Sequence, residues 1–531
     1  MFWLAFFLVL IFVCLLDGLG ILDWAVGSRL WGSPSSGLSF SVMLDKLAVS
    51  FAFMLLCCVL LALYYSWFYA SSVILVPLMS GFGIVTLILA FSANLITSLV
   101  FWEYLGLFSI LLILFYANVV SLRAALITLA FSRFGDASLF VLLAWSYYMW
   151  GIHSWQVFLS LLLIVVSKSA VYPMCSWLLE AMRAPTPVSS LVHSSTLVAA
   201  GVWFLLRYSL SFSDDVRFIL CLFCFISVLV SGACAMCNKD LKKTVALSTC
   251  NNVSWCLIFD LLGGFYLALI QLLVHGACKC YLFMSAGDLM RSSGGSQDAS
   301  GSWGFGYSGL WSVVSKAILV SALGGLPFMG VFYTKHCLVF GNAFFAFNLF
   351  VALGLVGGLW LTYTYCFRLF VLLVVTRSPG VSFGNYQDFL LSGVFGVVST
   401  VLGWLGAVLA PVSWVVAVWQ GCVFFLFQLL GMFFSFLMGE VIRIKFPRLY
   451  ALSKGVYGND FLVLLVYYCF DAFCEWCLDV VYRWEMSVSR SIIGGVLKSL
   501  VVSVYGAVLL LGVLALSVVV FVLVLYVFGG W

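Results

Sequence analysis

The chain has 531 residues, of which 65% are hydrophobic, 18% aromatic and only 8% charged, with a formal net charge of +5. A soluble domain carries about 25% charged residues, so a water-soluble fold is excluded, as is intrinsic disorder, which needs low hydrophobicity and high charge. At about 20 apolar residues per span the length accommodates on the order of 14–17 transmembrane helices, and the apolar segments are long and continuous, unlike the alternating strands of a transmembrane barrel.

The N-terminal apolar run from Phe2 carries Asp17 and Asp23 near its end and lacks a basic leader and a small-residue cleavage site. It is expected to be a retained helix, not a signal peptide. Apolar blocks follow at residues 42–69, 71–92, 95–117, 122–149, 156–173, 188–210, 216–237, 244–261 and 264–290, and then at 311–324, 328–347, 348–375, 388–410 and 412–440. Asp214, Asp215 and Arg217 punctuate one turn, and Ser292–Ser302 is a Ser/Gly-rich flexible connection. Lys239, Lys242 and Lys243 cluster in one short loop, which by the positive-inside rule faces the cytoplasm or, in an organelle, the matrix. A polar, basic stretch runs over Arg443–Asn459, a mixed segment over 460–498, and a last apolar run over Val501–Phe528.

In the mixed segment Asp471, Glu475 and Asp479 recur every four residues and Arg483 continues the series, which puts a charged stripe on one helix face. Composition alone reads this as an amphipathic helix lying in the membrane interface; a strut docked along other membrane subunits is the sharper alternative. The 18 cysteines sit mostly singly or as doublets in apolar runs, where Cys is a small buried hydrophobe. Cys474 and Cys477 form a C-x-x-C with no second pair and no nearby His, too little for a zinc site. No face gathers a block of Lys and Arg, so no nucleic-acid partner is expected.

Ionisable groups at mid-membrane cost about 2.5–3.5 kcal/mol each on insertion scales and persist only when paired or lining a polar cavity. A single such charge reads equally well as a structural ion pair or as part of an ion path; a series through successive helices favours the path. Glu103 lies inside an apolar helix. Arg133 and Asp136, three apart, share a face and can pair with each other or bracket Glu103. Lys168 follows a fully apolar run, and Pro173, five residues later, breaks that helix. A broken helix at membrane depth frees backbone carbonyls and marks ion sites. Pro185 and Pro187 then stop and restart the chain before His193, Ser194, Ser195 and Thr196. A lone His in such a place is usually a hydrogen-bonded core residue; three neighbouring hydroxyls make it a relay candidate.

In the second half Gln271, His275 and Lys279, spaced i, i+4, i+8, face one side of a helix and span about 12 Å of its length. Polar glue between helices would explain the first two, but glue does not need a lysine. Gly324, Gly325 and Pro327 break a second helix, and Lys335 and His336 follow. The layout repeats: each half has a polar helix, a broken helix and an intramembrane lysine near the break, an arrangement typical of ion-transport folds. Burial disfavours the charged form of lysine and a nearby carboxylate restores it, so a Glu103–Lys168 pair would act as a proton switch.

Residues 179–201, LEAMRAPTPVSSLVHSSTLVAAG, closely resemble the signature of the proton-translocating antiporter-like membrane subunits, which include the membrane subunits of respiratory complex I and the multi-subunit sodium/proton antiporters. DLKKTVALST from Asp240, RFGD from Arg133 and GVFYTK ending at Lys335 agree. The late amphipathic segment and terminal apolar helix resemble the distal pump member of complex I. The resemblance implies roles: Glu103 and Lys168 as the input pair beside Arg133 and Asp136, His193 as the link onward, His275 and Lys279 as the central relay with Gln271 where the family often has His, and Lys335 with His336 at the exit side. It raises the strut reading of Asp460–Lys498 above the interfacial one.

The fold expected is therefore an all-α polytopic membrane protein with two inverted five-helix repeats carrying broken helices, a lateral amphipathic helix and a terminal transmembrane helix. Its segments would be N-terminal helices over 1–92, repeats over 93–215 and 216–375, further helices over 376–442, a loop and lateral helix over 443–500, and an anchor over 501–531. The resemblance implies proton translocation driven by NADH:ubiquinone oxidoreduction, within the mitochondrial inner membrane. The partners would be other membrane-arm subunits, especially neighbouring antiporter-like subunits, and membrane lipids. No Rossmann fingerprint or ferredoxin-type Cys spacing is visible, so no cofactor is expected on this chain. FMN, iron–sulfur clusters, NADH and ubiquinone would be handled elsewhere in the complex. A stand-alone or multi-subunit cation/proton antiporter subunit and a structural subunit with an inactive channel are the alternatives.

Phe (50), Gly (46), Trp (20) and Cys (18) are abundant while Pro (9) and His (4) are scarce. The abundant residues have codons rich in G and T and the scarce ones have codons rich in C, the bias of a strand-asymmetric organellar genome. The gene is expected on such a genome; mapping it to a nuclear chromosome would refute this.

Overall fold

The computed structural model describes residues 26–31, 40–69, 74–148, 155–209, 212–238, 240–292, 310–327, 329–340, 349–374, 425–435 and 471–477, with four single positions besides (295, 297, 468 and 469). The N-terminal helix expected from Phe2, the Ser292–Ser302 connection, the 388–410 run, Arg443–Asn459, most of the charged segment after Asp460 and the Val501–Phe528 anchor lie outside these residues. The chain divides into two compact units, Met1–Asn459 and Asp460–Trp531. In the second unit, residues 471–477 are helical, with Asp471, Phe473, Glu475 and Trp476 exposed.

Among the described residues the first unit begins with a feature that hydropathy did not reveal. Strands β1 (Val26–Trp31) and β2 (Phe40–Leu44) pair antiparallel. β2 continues into the backbone after the second helix, with Met43 N donating to Phe91 O (2.9 Å) and Ala93 N to Ser41 O (3.1 Å). The expected apolar block beginning at residue 42 thus starts as a strand, and the helix begins only at Lys46.

The helices follow as α1 (Lys46–Tyr69), α2 (Leu75–Ala90), α3 (Leu95–Ile113), α4 (Val119–Tyr148), α5 (Trp155–Lys168), α6 (Ser176–Ala181) and α7 (Thr186–Arg207). Then come α8 (Asp214–Cys237), α9 (Leu241–Leu261), α10 (Phe265–Ser292), α11 (Leu310–Gly324), α12 (Phe332–Phe340), α13 (Leu349–Val374) and α14 (Phe425–Ser435). Among the described residues seven of these are long and apolar enough to cross a membrane, and several shorter apolar helices accompany them. α7 is buried along its whole length and α10 over 78% of its apolar window, against 39% for α3. α7, α9 and α10 therefore form the centre, and α3 and its neighbours present apolar side chains outward. Asp214 and Asp215, expected in a turn, form the first turn of α8, where carboxylates complement the helix dipole.

Both breaks are present. α5 ends at Lys168 and α6 begins at Ser176. α11 ends at Gly324 and α12 begins at Phe332, with Gly325 at φ 78° and Gly330 at φ 49° carrying the chain across. α7 contains a third irregularity, a π-helical turn over Val192–Thr196. There the Thr196 hydroxyl donates back to Leu191 O at 2.8 Å.

Within a bilayer the carbonyls at helix C-termini need partners, and cations from distant segments supply them. Arg291 donates to Phe68 O (2.7 Å) and Arg368 to Ala235 O (2.5 Å) and Asn238 O (2.6 Å), while Arg217, eight residues on, donates locally to Ser209 O (2.9 Å). Arg207 donates to Ser92 O (3.1 Å) and forms an ion pair with Asp45. Lys242 corrects an expectation. It lies in the first turn of α9 with little exposure (5%), donating to Ala184 O at 3.1 Å, and Lys243 pairs with Asp240 at 3.1 Å. These two belong to the first turn of a helix and are not free loop charges.

A β-carbon on Gly330 would meet Ala322 O at 2.5 Å, and the backbone there has positive φ. Gly330→Ala should destabilise the second break by about 1–3 kcal/mol, seen as a lower melting temperature of the purified protein; unchanged melting would show that the break adapts.

Candidate functional site

The first cluster is built by α3, α4 and α5. Glu103 on α3 forms an ion pair with Arg133 on α4. Arg133 also lies 3.5 Å from Asp136, one helical turn along. Asp136 in turn faces Lys168, at the last residue of α5, with Nζ 3.1 Å from Oδ1. The expected Glu103–Lys168 pair is therefore not formed directly: the carboxylate beside Lys168 is Asp136, and Arg133 stands between the two acids. The helical geometry explains the difference, because α4 packs on both α3 and α5 and its i, i+3 pair reaches one neighbour with each member. Lys168 and Asp136 are 1% and 2% exposed, whereas Arg133 is 43% exposed, so the row runs from the periphery into the interior. The Lys168 ammonium also lies over the Trp102 ring, 5.3 Å from its centroid.

Lys168 and His193 line one small cavity with Ser109, Thr128, Ser132, Ser167 and Trp177. Its volume, about 10 Å³, is close to the minimum for one water molecule. His193 sits in the π-helical turn, fully buried, and neither of its ring nitrogens has a hydrogen-bond partner among the described residues. Buried polar groups normally have partners, so the imidazole is suited to solvent in that cavity. Trp177 anchors the break by donating Nε1–H to Ser167 O at 2.9 Å.

The second half presents its polar groups differently. Gln271, His275 and Lys279 are all buried on α10, on one face as their spacing predicts. Lys279 donates to the Ser248 hydroxyl and to Val245 O (3.2 Å), both on α9. The His275 ring nitrogens, like those of His193, lack hydrogen-bond partners among the described residues. Gln271 Oε1 accepts from Thr334 on α12 at 2.5 Å, next to Lys335. Lys335 Nζ donates to Gly324 O (2.9 Å), reaches Thr362 Oγ1 (3.4 Å) and lies 5.6 Å from the Tyr363 ring centroid. It is the cation that caps the broken α11. His336 is half-buried and packs against Phe332, ring centroids 5.2 Å apart.

Several groups here were not singled out from sequence. Ser109, Thr128 and Ser132 read as isolated hydroxyls in apolar helices. Ser248 belongs to a recognised motif but has no mark of its own as a lysine partner. Lys316, 4% exposed on α11, and Gln428 on α14, which donates to Gly325 O (3.1 Å) and Tyr363 Oη (3.2 Å), were visible as lone polar residues in apolar runs. So was the polar band Thr362–Cys366 of α13.

Two broken helices, buried lysines and paired acids within a helical bundle define an antiporter-like membrane subunit. A family model described as NADH:quinone oxidoreductase/Mrp antiporter, TM, matches residues 92–362, and the chain belongs to that family. The curated relatives it resembles carry the name NADH-ubiquinone oxidoreductase chain 5. That of Mytilus edulis is 34% identical over 331 residues, covering 58% of this chain and 57% of that one. That of Locusta migratoria is 30% identical over 483 residues, covering 83% and 82%. The match thus spans little more than half the length of the mussel protein. A solved structure of the Mrp complex from a Dietzia species superposes with TM-score 0.70 at 20% identity, covering 93% of this chain and 59% of that one, a likeness of fold.

Removing one partner of a buried ion pair strands the other charge at a cost of about 3–5 kcal/mol. Asp136→Asn is expected to destabilise the protein on that scale, and adding Lys168→Met is expected to recover most of it. Melting temperatures of the single and double variants check this; additive losses would show that the two groups are not a pair.

Proposed function

We propose that the chain is the distal antiporter-like subunit of the membrane arm of an NADH:ubiquinone oxidoreductase, moving protons across the mitochondrial inner membrane while other subunits reduce quinone. The observation that supports this most is the charged row from Glu103 through Arg133 and Asp136 to Lys168, ending at a polar cavity shared with His193. Arg133 reaches both acids. When it sides with Asp136, or when Asp136 takes up a proton, Lys168 loses its counter-charge and its ammonium becomes the proton donor toward the cavity and His193. When Arg133 returns to Glu103, Asp136 again holds Lys168 charged. His275 and Lys279 carry the proton on, and Lys335 releases it beside the second break.

The helix order supports a duplicated layout, since each half places a broken helix before a long one, α7 in the first and α13 in the second; the expected 215/216 boundary falls inside α8 (Asp214–Cys237) and belongs before Asp214. Redox groups would sit on other subunits, so this chain's contribution is transport alone. Moving one charge against 100 mV takes about 2.3 kcal/mol, which the coupled reaction must deliver along the membrane arm. Neighbouring antiporter-like subunits would contact the segment over 443–500, and the anchor over 501–531 would hold it.

The test is Lys168→Met and Lys279→Met, each in the whole complex. A pump loses NADH-driven proton transport by about a hundredfold or more, as expected of a missing acid–base group, while the large complex still purifies with NADH:quinone activity. Unchanged transport would identify a structural subunit, and cation/proton exchange independent of NADH would identify an antiporter.

A further inference from the structure

The second break is held from a helix late in the chain. On α14 the buried residues Gln428, Gly431 and Ser435, spaced i, i+3, i+7, form one stripe, while Leu426, Leu430 and Phe433 are exposed. The stripe docks on α13. A β-carbon on Gly431 would meet Tyr363 Cβ at 3.2 Å, and Phe434 packs on Trp360 with ring centroids 4.6 Å apart. Gln428, one turn earlier, reaches both α13 and the end of α11. Its Nε2 carries two hydrogens and uses both, on Gly325 O (3.1 Å) and on Tyr363 Oη (3.2 Å). Each of these acceptors belongs to a residue that borders Lys335. Gly325 follows the residue whose carbonyl takes the Lys335 ammonium at 2.9 Å, and a β-carbon on it would lie 3.3 Å from Lys335 Cδ. The Tyr363 ring lies 5.6 Å from the ammonium, within cation–π range. A single carboxamide thus fixes the carbonyl next to the one the lysine uses and the ring beside its charge. Gln428 lies beyond residue 362, where the family match ends, so this hold on the break comes from outside the matched segment.

We propose that Gln428 is the positioning residue of the exit-side lysine, Lys335. The proposal rests on the transport reading above. By occupying Gly325 O and the Tyr363 hydroxyl, the amide leaves the Lys335 ammonium one close carbonyl, Gly324 O; Leu323 O and Thr362 Oγ1 stand farther off, at 3.5 and 3.4 Å. Every further acceptor on an ammonium favours its charged form, so a lysine that must give up its proton is served by few. With the amide removed, Gly325 O needs another donor, and the ammonium whose stem lies along Gly325 is at hand. Lys335 would then hold its proton against both carbonyls of the break. An amide suits the task because it donates twice and its charge does not change with pH. The ionisable groups that meet the break are Lys335 of α12 and Tyr363 and Cys366 of α13. Lys316 lies about two turns back on α11, His336 packs on Phe332, and α14 over Phe425–Ser435 has no ionisable residue.

The test compares Gln428→Leu, Gln428→Glu and Lys335→Met in the intact complex, reading NADH-driven proton transport across pH and, with an uncoupler present, NADH:quinone activity as the measure of assembly. Gln428→Leu is expected to lower transport about tenfold, on the scale of one hydrogen bond to a charged group, with uncoupled activity retained. Gln428→Glu is expected to fall at least as far at neutral pH, where a carboxylate gives the ammonium a counter-charge. It should recover in part at acid pH, where the carboxyl O–H donates to Gly325 O in place of the amide. A packing role would lower both variants alike at every pH, so parallel profiles for Gln428→Leu and Gln428→Glu overturn the proposal. Full transport in Gln428→Leu overturns it as well, and the transport reading survives if Lys335→Met abolishes transport. Full transport in Lys335→Met ends that reading and the proposal with it. If Gln428→Leu fails to assemble, the presence or absence of acid recovery in Gln428→Glu decides.

Discussion

Backbone carbonyls that cannot reach water organise this protein. A helix broken inside a bilayer exposes carbonyls that only other protein groups or trapped solvent can satisfy. Here cations from distant parts of the sequence meet them: Lys335 at the end of α11, Lys242 beside the signature loop, Arg368 at the end of α8. With only 8% charged residues in the chain, few of these groups serve merely to solvate a surface. The same contacts that close the fold also hold ammonium and guanidinium groups in its interior.

The buried lysines are compensated in unlike ways. Lys168 has a carboxylate at 3.1 Å and an aromatic ring nearby. Lys279 has a hydroxyl and a carbonyl, and Lys335 has the carbonyls of a helix end. A full counter-charge can be withdrawn by a single protonation or by one arginine changing sides, whereas dipoles stay where the backbone puts them. The first lysine is therefore the one whose charge state is most open to control from outside the path. The other two sit in a field that a hydroxyl and backbone carbonyls fix. Among the described residues the ring nitrogens of His193 and His275 have no hydrogen-bond partner, so solvent is what would satisfy them.

Much of this layout is legible in the chain itself. Pro173 and the Gly324–Pro327 run announce both breaks because proline and glycine act locally through backbone geometry. The i, i+4, i+8 spacing places Gln271, His275 and Lys279 on one face because helical periodicity is local too. The hairpin of β1 and β2 escaped notice because its strands sit at the edge of long apolar runs, and its register depends on the backbone near Phe91, which is distant in sequence. Lys242 was misread for the complementary reason: its charge suggests a loop, and only the Ala184 carbonyl, 58 residues away, explains its burial.

Composition, hydropathy and the 179–201 motif thus sufficed for the membrane class and the family, since each of these follows from local chemistry and the cost of burying charge. Which group pairs with which was settled only by helix packing. That Asp136 rather than Glu103 faces Lys168, that Ser248 receives Lys279, and that Thr362 and Tyr363 of α13 come to lie against Lys335 are consequences of how α4, α9 and α13 cross their neighbours. No spacing within one helix encodes the partner presented by another.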